Sequence, residues 1–240
     1  RKSYFYPDMA KNYQISQYEI PLAVKGSLTL PDGKIIKIRR VHLEEDPASL
    51  LHPGGVAGSS YVLIDYNRSG NPLVEIVTEP DMESPEQARA FMKQLITILS
   101  YLGIFDLKKG IIKADTNVSI KASGFTKVEV KNVTGFKEIE RALVYEVMRQ
   151  QKTMQEGAAI IQETRSWNAE TGTSITLRKK ETEEDYGYII DPDLVITDLP
   201  QGYIQSLRDA MPELPQDKIK NYIKRYKLSA TDAEVIAQEK

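Results

Sequence analysis

The feature that most constrains the fold is a long helical stripe set between runs that alternate like β-strands. Ser84 is the predicted N-cap of this helix, Pro85 takes its first helical position, and Gly103 ends it. A second long helix is predicted over 136–156, before Gly157. The first helix is predicted from apolar residues that recur with the period of a helix: Ala88, Phe91, Met92, Leu95, Leu99 and Leu102.

Strand-like runs flank both helices. Ile111–Lys121 alternates apolar and polar residues, and Lys127–Asn132 repeats the pattern after a short loop, which predicts a β-hairpin. The polar side of that hairpin is either a solvated face or a ligand-binding surface, and the pattern leaves both open. Before the first helix, strands are predicted at 28–30, 34–43, 61–66 and 73–78, and these are interpreted as antiparallel pairs. After the second helix, two more short strands are predicted at 160–167 and 174–179. The sequence therefore predicts an α+β fold built on antiparallel sheet with two long packed helices.

A cluster of prolines between Pro192 and Pro215 indicates a domain boundary near residue 197. Residues 1–196 are predicted to form one domain, and 197–240 the start of a helical one, where a helical period and the cap residue Ser229 follow. Because the sequence begins with Arg1 and enters a dense aromatic motif directly, we expect an internal fragment of a longer protein.

Composition narrows the chemistry. The chain has 240 residues, 41% of them hydrophobic, and 32 basic against 34 acidic side chains, so any RNA binding must use a local patch. No cysteine is present, which excludes disulfides, thiolate catalysis and Cys-ligated zinc and fits a cytoplasmic protein. With only His42 and His52, a His-rich metal site is excluded. No apolar run reaches the roughly 18 residues of a membrane span, so no membrane association is expected.

One carboxylate stands out within a predicted strand. Glu75 is in phase with Leu73 and Val77 on a run that reads as buried, where a charge is costly unless a positive group meets it. Spacing alone favours an ion pair or an edge-strand position over a functional role. Carboxylates arriving from several strands suit Mg²⁺, which prefers hard oxygen ligands. The other candidate carboxylates are Glu44, Glu45, Asp46, Glu79, Asp81, Asp115 and Glu129.

A series of long motifs resembles one protein family. The sequence is similar to the B subunit of the tRNA-dependent amidotransferase, which makes Gln-tRNA from Glu-tRNA and Asn-tRNA from Asp-tRNA. The resemblance runs in order from residue 1 to about residue 232. The motifs that carry it are Tyr4-Phe-Tyr-Pro-Asp-Met-Ala-Lys-Asn-Tyr-Gln-Ile-Ser-Gln17, His42-Leu-Glu-Glu-Asp46, Asp65-Tyr-Asn-Arg-Ser-Gly70, Pro72-Leu-Val-Glu-Ile-Val-Thr-Glu-Pro-Asp81, Asp115-Thr-Asn-Val-Ser119, Glu129-Val-Lys-Asn132 and Gln162-Glu-Thr-Arg165.

The resemblance implies an activity, cofactors and partners. ATP phosphorylates the side-chain carboxylate of Glu-tRNA(Gln) or Asp-tRNA(Asn), and ammonia from a glutaminase subunit then displaces phosphate. The implied cofactors are ATP and Mg²⁺, and the implied partners are the mischarged tRNA and two further subunits, the glutaminase (A) and a small one (C). The implied fold is a cradle resembling the catalytic domain of glutamine synthetase. Such a reaction needs positioning and charge neutralisation rather than a protein nucleophile, since the substrate carboxylate attacks phosphorus.

The resemblance also implies site residues. Glu45 and Glu75 align with the family's magnesium-binding glutamates. Motif membership and polar-face position suggest further phosphate or substrate contacts at Lys11, Arg68, Asp115, Asn117, Lys131 and Asn132. The aromatics Tyr4, Tyr6 and Tyr13 are expected on the tRNA or substrate side, although a core or rim position in a sheet would explain them equally.

Some family features are missing from this sequence. The family's first segment would lie before Arg1, so the isolated fragment is expected to be inactive. Pro47-Ala-Ser49 stands where many members have Ala-Gly-Lys, and 185–193 lacks the arginine found in most members. A large insertion typical of the archaeal E subunit is absent, which favours the B subunit. A second hypothesis is that this stretch only docks tRNA and assembles the complex, with catalysis carried by other segments.

Overall fold

A computed structural model describes residues 1–3, 5–53, 59–106, 110–178 and 187–238. The chain divides into two compact units, Arg1–Asp81 with Glu181–Ile196, and Met82–Lys180 with Thr197–Lys240. These units differ from the two predicted domains, 1–196 and 197–240. The domain boundary near residue 197 stays a prediction. Within the described residues, no helix is both long and apolar enough to cross a membrane.

The first unit is built from short antiparallel sheets. Its strands are β1 (Lys2–Ser3), β2 (Tyr13–Gln14), β3 (Ala23–Thr29), β4 (Ile35–Glu45), β5 (Ser49–Leu51), β6 (Leu63–Asp65), β7 (Pro72–Thr78) and, after the second unit's strands, β12 (Gly187–Tyr188). They form three sheets with the orders β12-β1-β2, β3-β4-β7 and β5-β6, and every pair is antiparallel. The sequence predicts antiparallel pairing for β3, β4, β6 and β7, whereas it does not predict the strands β1, β2, β5 and β12. Leu28 and Ile36 are opposite each other and buried, so the first unit has a small apolar core at this end of the β3–β4 pair.

The second unit combines helices with a four-stranded sheet. Its elements are α1 (Pro85–Tyr101), β8 (Lys113–Val118), a short 3₁₀ turn (Lys121–Ser123), β9 (Val128–Thr134), α2 (Phe136–Gln155), β10 (Glu163–Asn168), β11 (Thr173–Arg178), α3 (Gln201–Asp209), α4 (Pro215–Tyr226) and α5 (Ala230–Ile236). The sheet order is β11-β10-β9-β8. The predicted hairpin is confirmed as β8 and β9. In contrast, β9 and β10 are parallel, because α2 connects them as a crossover helix.

Local signals set the helix ends. Ser84 caps α1, its side chain accepting a hydrogen bond from the backbone N–H of Gln87. Gly103 and Gly157 follow the two long helices with φ of +71° and +81°, a conformation that glycine adopts at little cost. The core between helices and sheet is formed by Ala88, Val130, Val133, Ile139, Ala142 and Trp167.

Candidate active site

The end of β4 brings together three side chains of the kinds that can bind a metal ion. His42 is directly opposite Glu75 of β7, and Glu44 follows two residues later, on the same face of β4. His42 Nε2 lies 2.9 Å from Glu75 Oε2 and 3.2 Å from Glu44 Oε1. One potential ligand atom from each residue lies within 4.8 Å of the other two. We call His42, Glu44 and Glu75 the β4–β7 cluster.

The three residues differ in exposure. The His42 side chain is 3% exposed and that of Glu75 is 48% exposed, so the imidazole forms the floor of the cluster and Glu75 faces solvent. Glu44 Oε1 also accepts a hydrogen bond of 2.8 Å from Ser16 Oγ. The Nδ1 atom of His42 is buried and has no hydrogen-bond partner among the described residues. The imidazole therefore holds both carboxylates through its Nε2 atom alone.

Charge in the cluster is unbalanced. Partial burial raises the pKa of the Glu75 carboxyl, and repulsion from Glu44 raises it further. Attraction to His42 and Arg40 lowers that pKa, but by less than the opposing effects. A divalent cation bound by both carboxylates would oppose their mutual repulsion.

The raised pKa predicts how stability depends on pH. Folded Glu75 binds its proton more tightly than the unfolded residue, so its ionisation costs stability as pH rises through the folded pKa. Without added metal, Glu75→Gln is expected to unfold at a higher temperature than wild type at pH 8 and at an equal temperature at pH 4. Thermal unfolding across this pH range measures the difference. A lower unfolding temperature for the variant at pH 8 would show instead that the His42–Glu75 hydrogen bond dominates.

Glu45 lies on the opposite face of β4 from the cluster. Its carboxylate is 2.6 Å from Lys11 Nζ and accepts a 2.8 Å hydrogen bond from the backbone N–H of Ile15. The structure therefore does not bring Glu45 together with Glu75, and Glu44 takes the position beside Glu75. Both oxygens of Glu45 are engaged by the segment that precedes β3. The predicted metal role of Glu45 stays a prediction, and its contacts indicate an anchor for Lys11.

Other predicted residues of the first unit lie around the same strand end. Arg68 donates to Asp46 Oδ2 at 3.0 Å through Nε, directly after Glu45 in the chain. Tyr13 contacts two cations through its ring, with Lys11 Nζ 4.6 Å and the Arg1 guanidinium 5.0 Å from the ring centroid. Tyr6 is half exposed, whereas Tyr4 falls outside the described residues. Lys11 and Arg68 are therefore each paired with a carboxylate.

The remaining predicted residues lie on one face of the second unit's sheet. The register of β8 and β9 shifts between Ala114 and Thr116, so that Asp115 faces both Lys131 and Asn132. Asn132 adopts a φ of +64°, and its Nδ2 donates to Ser166 Oγ of β10 at 2.8 Å. This bulge aims the polar side chains of adjacent strands toward one another. Asn117 is exposed two residues after Asp115, on the same face.

Lys131 is held between two carboxylates on that face. Its Nζ lies 2.9 Å from Asp115 Oδ2 and 3.3 Å from Glu129 Oε1, and Glu129 also accepts a hydrogen bond from Thr164 Oγ1. Burial, the largest influence, lowers the pKa of Lys131, but Asp115 and Glu129 together outweigh it and raise the pKa. Lys131 is thus a fixed positive charge in a polar sheet face.

Two details of the site differ from the sequence-based expectation. Glu75 is about half exposed rather than fully buried, and no other residue of β7 is fully buried either. His42 takes part in the cluster, although the sequence excludes only a site rich in histidines and predicts no role for His42. His42 and Glu44 are two residues apart in a predicted strand, and this spacing places both side chains on one face. That spacing could have indicated the pair from the sequence.

Comparison with known proteins identifies the family. The sequence signature of the GatB/GatE catalytic domain matches residues 1–205. The chain belongs to the GatB/GatE catalytic domain family. Its relatives include proteins named as the B subunit of aspartyl/glutamyl-tRNA(Asn/Gln) amidotransferase from Sulfurisphaera tokodaii, 46% identical, Saccharolobus solfataricus, 47% identical, and Thermodesulfovibrio yellowstonii, 45% identical.

Each of these alignments covers 100% of this chain and 52% of the relative. The chain therefore spans about half the length of the curated GatB/GatE relatives that it matches. The predicted family is confirmed.

Proposed function

We propose that this chain is the activating part of the B subunit of a tRNA-dependent amidotransferase. In this proposal the side-chain carboxylate of Glu-tRNA(Gln) or Asp-tRNA(Asn) attacks the γ-phosphorus of ATP, ADP leaves, and ammonia then displaces phosphate to give the amide. The observation that carries the proposal is the β4–β7 cluster, in which two carboxylates share one histidine in a chain of the GatB/GatE family. The names of the relatives supply the substrate class.

The donor atoms of the cluster fit Mg²⁺. Glu44 and Glu75 offer hard oxygen ligands. The pKa of Glu75 is raised first by partial burial and then by repulsion from Glu44, and a bound cation would oppose that repulsion. Glu44 and Glu75 would hold the ion, while His42 orients both carboxylates by hydrogen bonding through Nε2. Bound Mg²⁺ would supply neutralisation of phosphate charge as it develops.

The protein's own cations have a separate role in the proposal. Lys11, Arg68 and Lys131 are each fixed by a carboxylate: Glu45, Asp46 and Asp115 respectively. A charge held in place costs little reorganisation when phosphate oxygens approach it. We propose that Lys11 and Arg68 of the first unit contact phosphate or the substrate carboxylate. For the second unit, taken by itself, we propose the same kind of contact at Lys131, with Asn117 and Asn132 as neutral hydrogen-bonding groups on the same sheet face.

The proposal also includes the other features that the family resemblance implies. These are a cradle-shaped catalytic domain like that of glutamine synthetase, a glutaminase (A) that supplies ammonia, a small third subunit (C), ATP hydrolysis coupled to amidation, and inactivity of this stretch in isolation. A cytoplasmic location stays a prediction.

The test follows ADP formation by the intact protein assembled with its partner subunits. With Mg²⁺, ATP and Glu-tRNA(Gln), we expect ADP formation that depends on the aminoacyl group, and conversion to Gln-tRNA(Gln) when ammonium is added. Uncharged tRNA is the matched control and should give no additional ADP. Formation of Gln-tRNA(Gln) without ATP consumption would overturn the proposal. Amidation that continues at the wild-type rate when Glu44 and Glu75 are both replaced by Gln would favour the role of a docking platform.

A further inference from the structure

The loop between β8 and β9 presents an exposed aromatic ring on a strained backbone. Phe125 has a φ of +61° and is 64% exposed. Positive φ is uncommon for residues other than glycine, asparagine and aspartate, and it costs free energy for a bulky side chain. Burial of the ring does not offset that cost, because most of the ring surface faces solvent.

Hydrogen bonds within the loop impose this conformation. The carbonyl oxygen of Ile120 accepts from the backbone N–H groups of Ser123 and Phe125, both at 3.1 Å, and from Ser123 Oγ at 2.9 Å. Thr126 Oγ1 donates to the Ser123 carbonyl at 2.8 Å. These hydrogen bonds order the loop that carries the ring before any partner binds. Binding therefore costs little conformational entropy of the loop.

The charge around the ring points to the chemistry of its partner. Lys121 and Lys127 flank Phe125 and are both exposed, and no acidic residue occurs in the sequence between Asp115 and Glu129. An exposed aromatic ring with an exposed lysine four residues before it and another two residues after it matches what an unpaired base and its neighbouring phosphates require. A purely apolar protein pocket would gain nothing from the two lysines.

We propose that Phe125 is a stacking platform for an unpaired nucleobase of RNA, and that Lys121 and Lys127 contact the adjoining phosphates. The inference rests on the proposed function in one respect, since that function makes an aminoacyl-tRNA the substrate. It adds a contact region at the tip of the β8–β9 hairpin, separate from the polar sheet face that holds Lys131.

The main test separates binding from folding by exploiting the backbone strain. Asparagine tolerates positive φ but cannot stack as an aromatic ring does, so Phe125→Asn should leave the unfolding temperature unchanged or raised. The same variant should weaken binding of a tRNA(Gln) transcript to the intact protein roughly ten- to hundred-fold, whereas Phe125→Tyr should bind like wild type. Unchanged affinity of Phe125→Asn would overturn the proposal, as would loss of assembly with the partner subunits at normal RNA affinity.

Salt dependence tests the two lysines. Lys121→Ala and Lys127→Ala should each reduce the slope of log Kd against log salt concentration by about 0.7, the value for one phosphate contact on a single strand. Lys93→Ala, an exposed lysine of α1, is the control and should leave the slope unchanged. An unchanged slope for both loop lysines would contradict the phosphate contacts.

The two proposals can fail separately. If wild type forms Gln-tRNA(Gln) with ATP and the loop variants bind RNA normally, only the stacking platform is overturned. If wild type binds RNA through Phe125 but forms no amide with ATP and ammonium, the proposed function fails and the platform stands.

Discussion

Glu75→Gln is expected to slow ATP-dependent phosphorylation of the aminoacyl-tRNA by roughly 10²- to 10³-fold, the scale for losing one preorganised charge-stabilising group. The variant keeps the size of the side chain and an oxygen that His42 can contact, but it loses the negative charge that would bind a divalent cation. Glu44→Gln should act similarly, because Glu44 shares His42 with Glu75. Single-turnover ADP formation over a range of Mg²⁺ concentrations measures both effects.

Glu45→Gln is the matched control, one residue from Glu44 on the other face of β4. Its amide can still accept the hydrogen bond from the Ile15 N–H, so only the ion pair with Lys11 is lost. We therefore expect a smaller loss of rate and no change in the Mg²⁺ concentration needed for half-maximal activity. A requirement for more Mg²⁺ in Glu45→Gln than in Glu44→Gln would assign the metal to the opposite face of the strand.

The largest expected loss of stability comes from Arg165→Met in the second unit. Arg165 is nearly buried and donates to Glu163, Ser174 and Thr176 at 2.7–2.9 Å. Its loss leaves the buried carboxylates Glu146 and Glu163 with Arg149 as their one remaining cation among the described residues. Because removing one partner strands buried charge, the free energy of unfolding should fall by about 3 kcal/mol or more.

An exposed ion pair supplies the comparison. Lys152 lies 3.8 Å from Glu156 near the end of α2, and both side chains are mostly exposed. Lys152→Ala should change the free energy of unfolding by less than about 0.5 kcal/mol. Native-state hydrogen exchange of α2 and β10 reports on this unit separately from the first. A loss below about 1 kcal/mol for Arg165→Met would mean that the network is not needed to hold β10 against α2.

Parts of the fold with local signals could be predicted. Both long helices follow from apolar period and cap residues, and the β8–β9 hairpin follows from alternation on each side of a short loop. The parallel pairing of β9 with β10 could not be predicted, because it depends on how α2 packs rather than on the sequence of either strand. Similarly, β3 begins at Ala23, well before the predicted start at 28, since its first residues pair with β4 while staying exposed and so lack apolar alternation.

The candidate site shows the same limit. The sequence of its own strand singles out Glu75, but the partner of Glu75 depends on the register between β4 and β7, which no local pattern specifies. The motif His42-Leu-Glu-Glu-Asp46 places two glutamates side by side, and the parity of a strand decides which one faces His42. Alignment by motif favours Glu45, whereas the geometry places Glu44 beside Glu75.

Manganese binding observed by anomalous diffraction tests the central claim most directly. Mn²⁺ can substitute for Mg²⁺ at oxygen-rich sites and scatters anomalously, so its position in a crystal of the intact protein needs no activity assay. The account predicts a peak within about 2.0–2.3 Å of a carboxylate oxygen of both Glu44 and Glu75. A peak bound by Glu45 with neither Glu44 nor Glu75 in contact would contradict it.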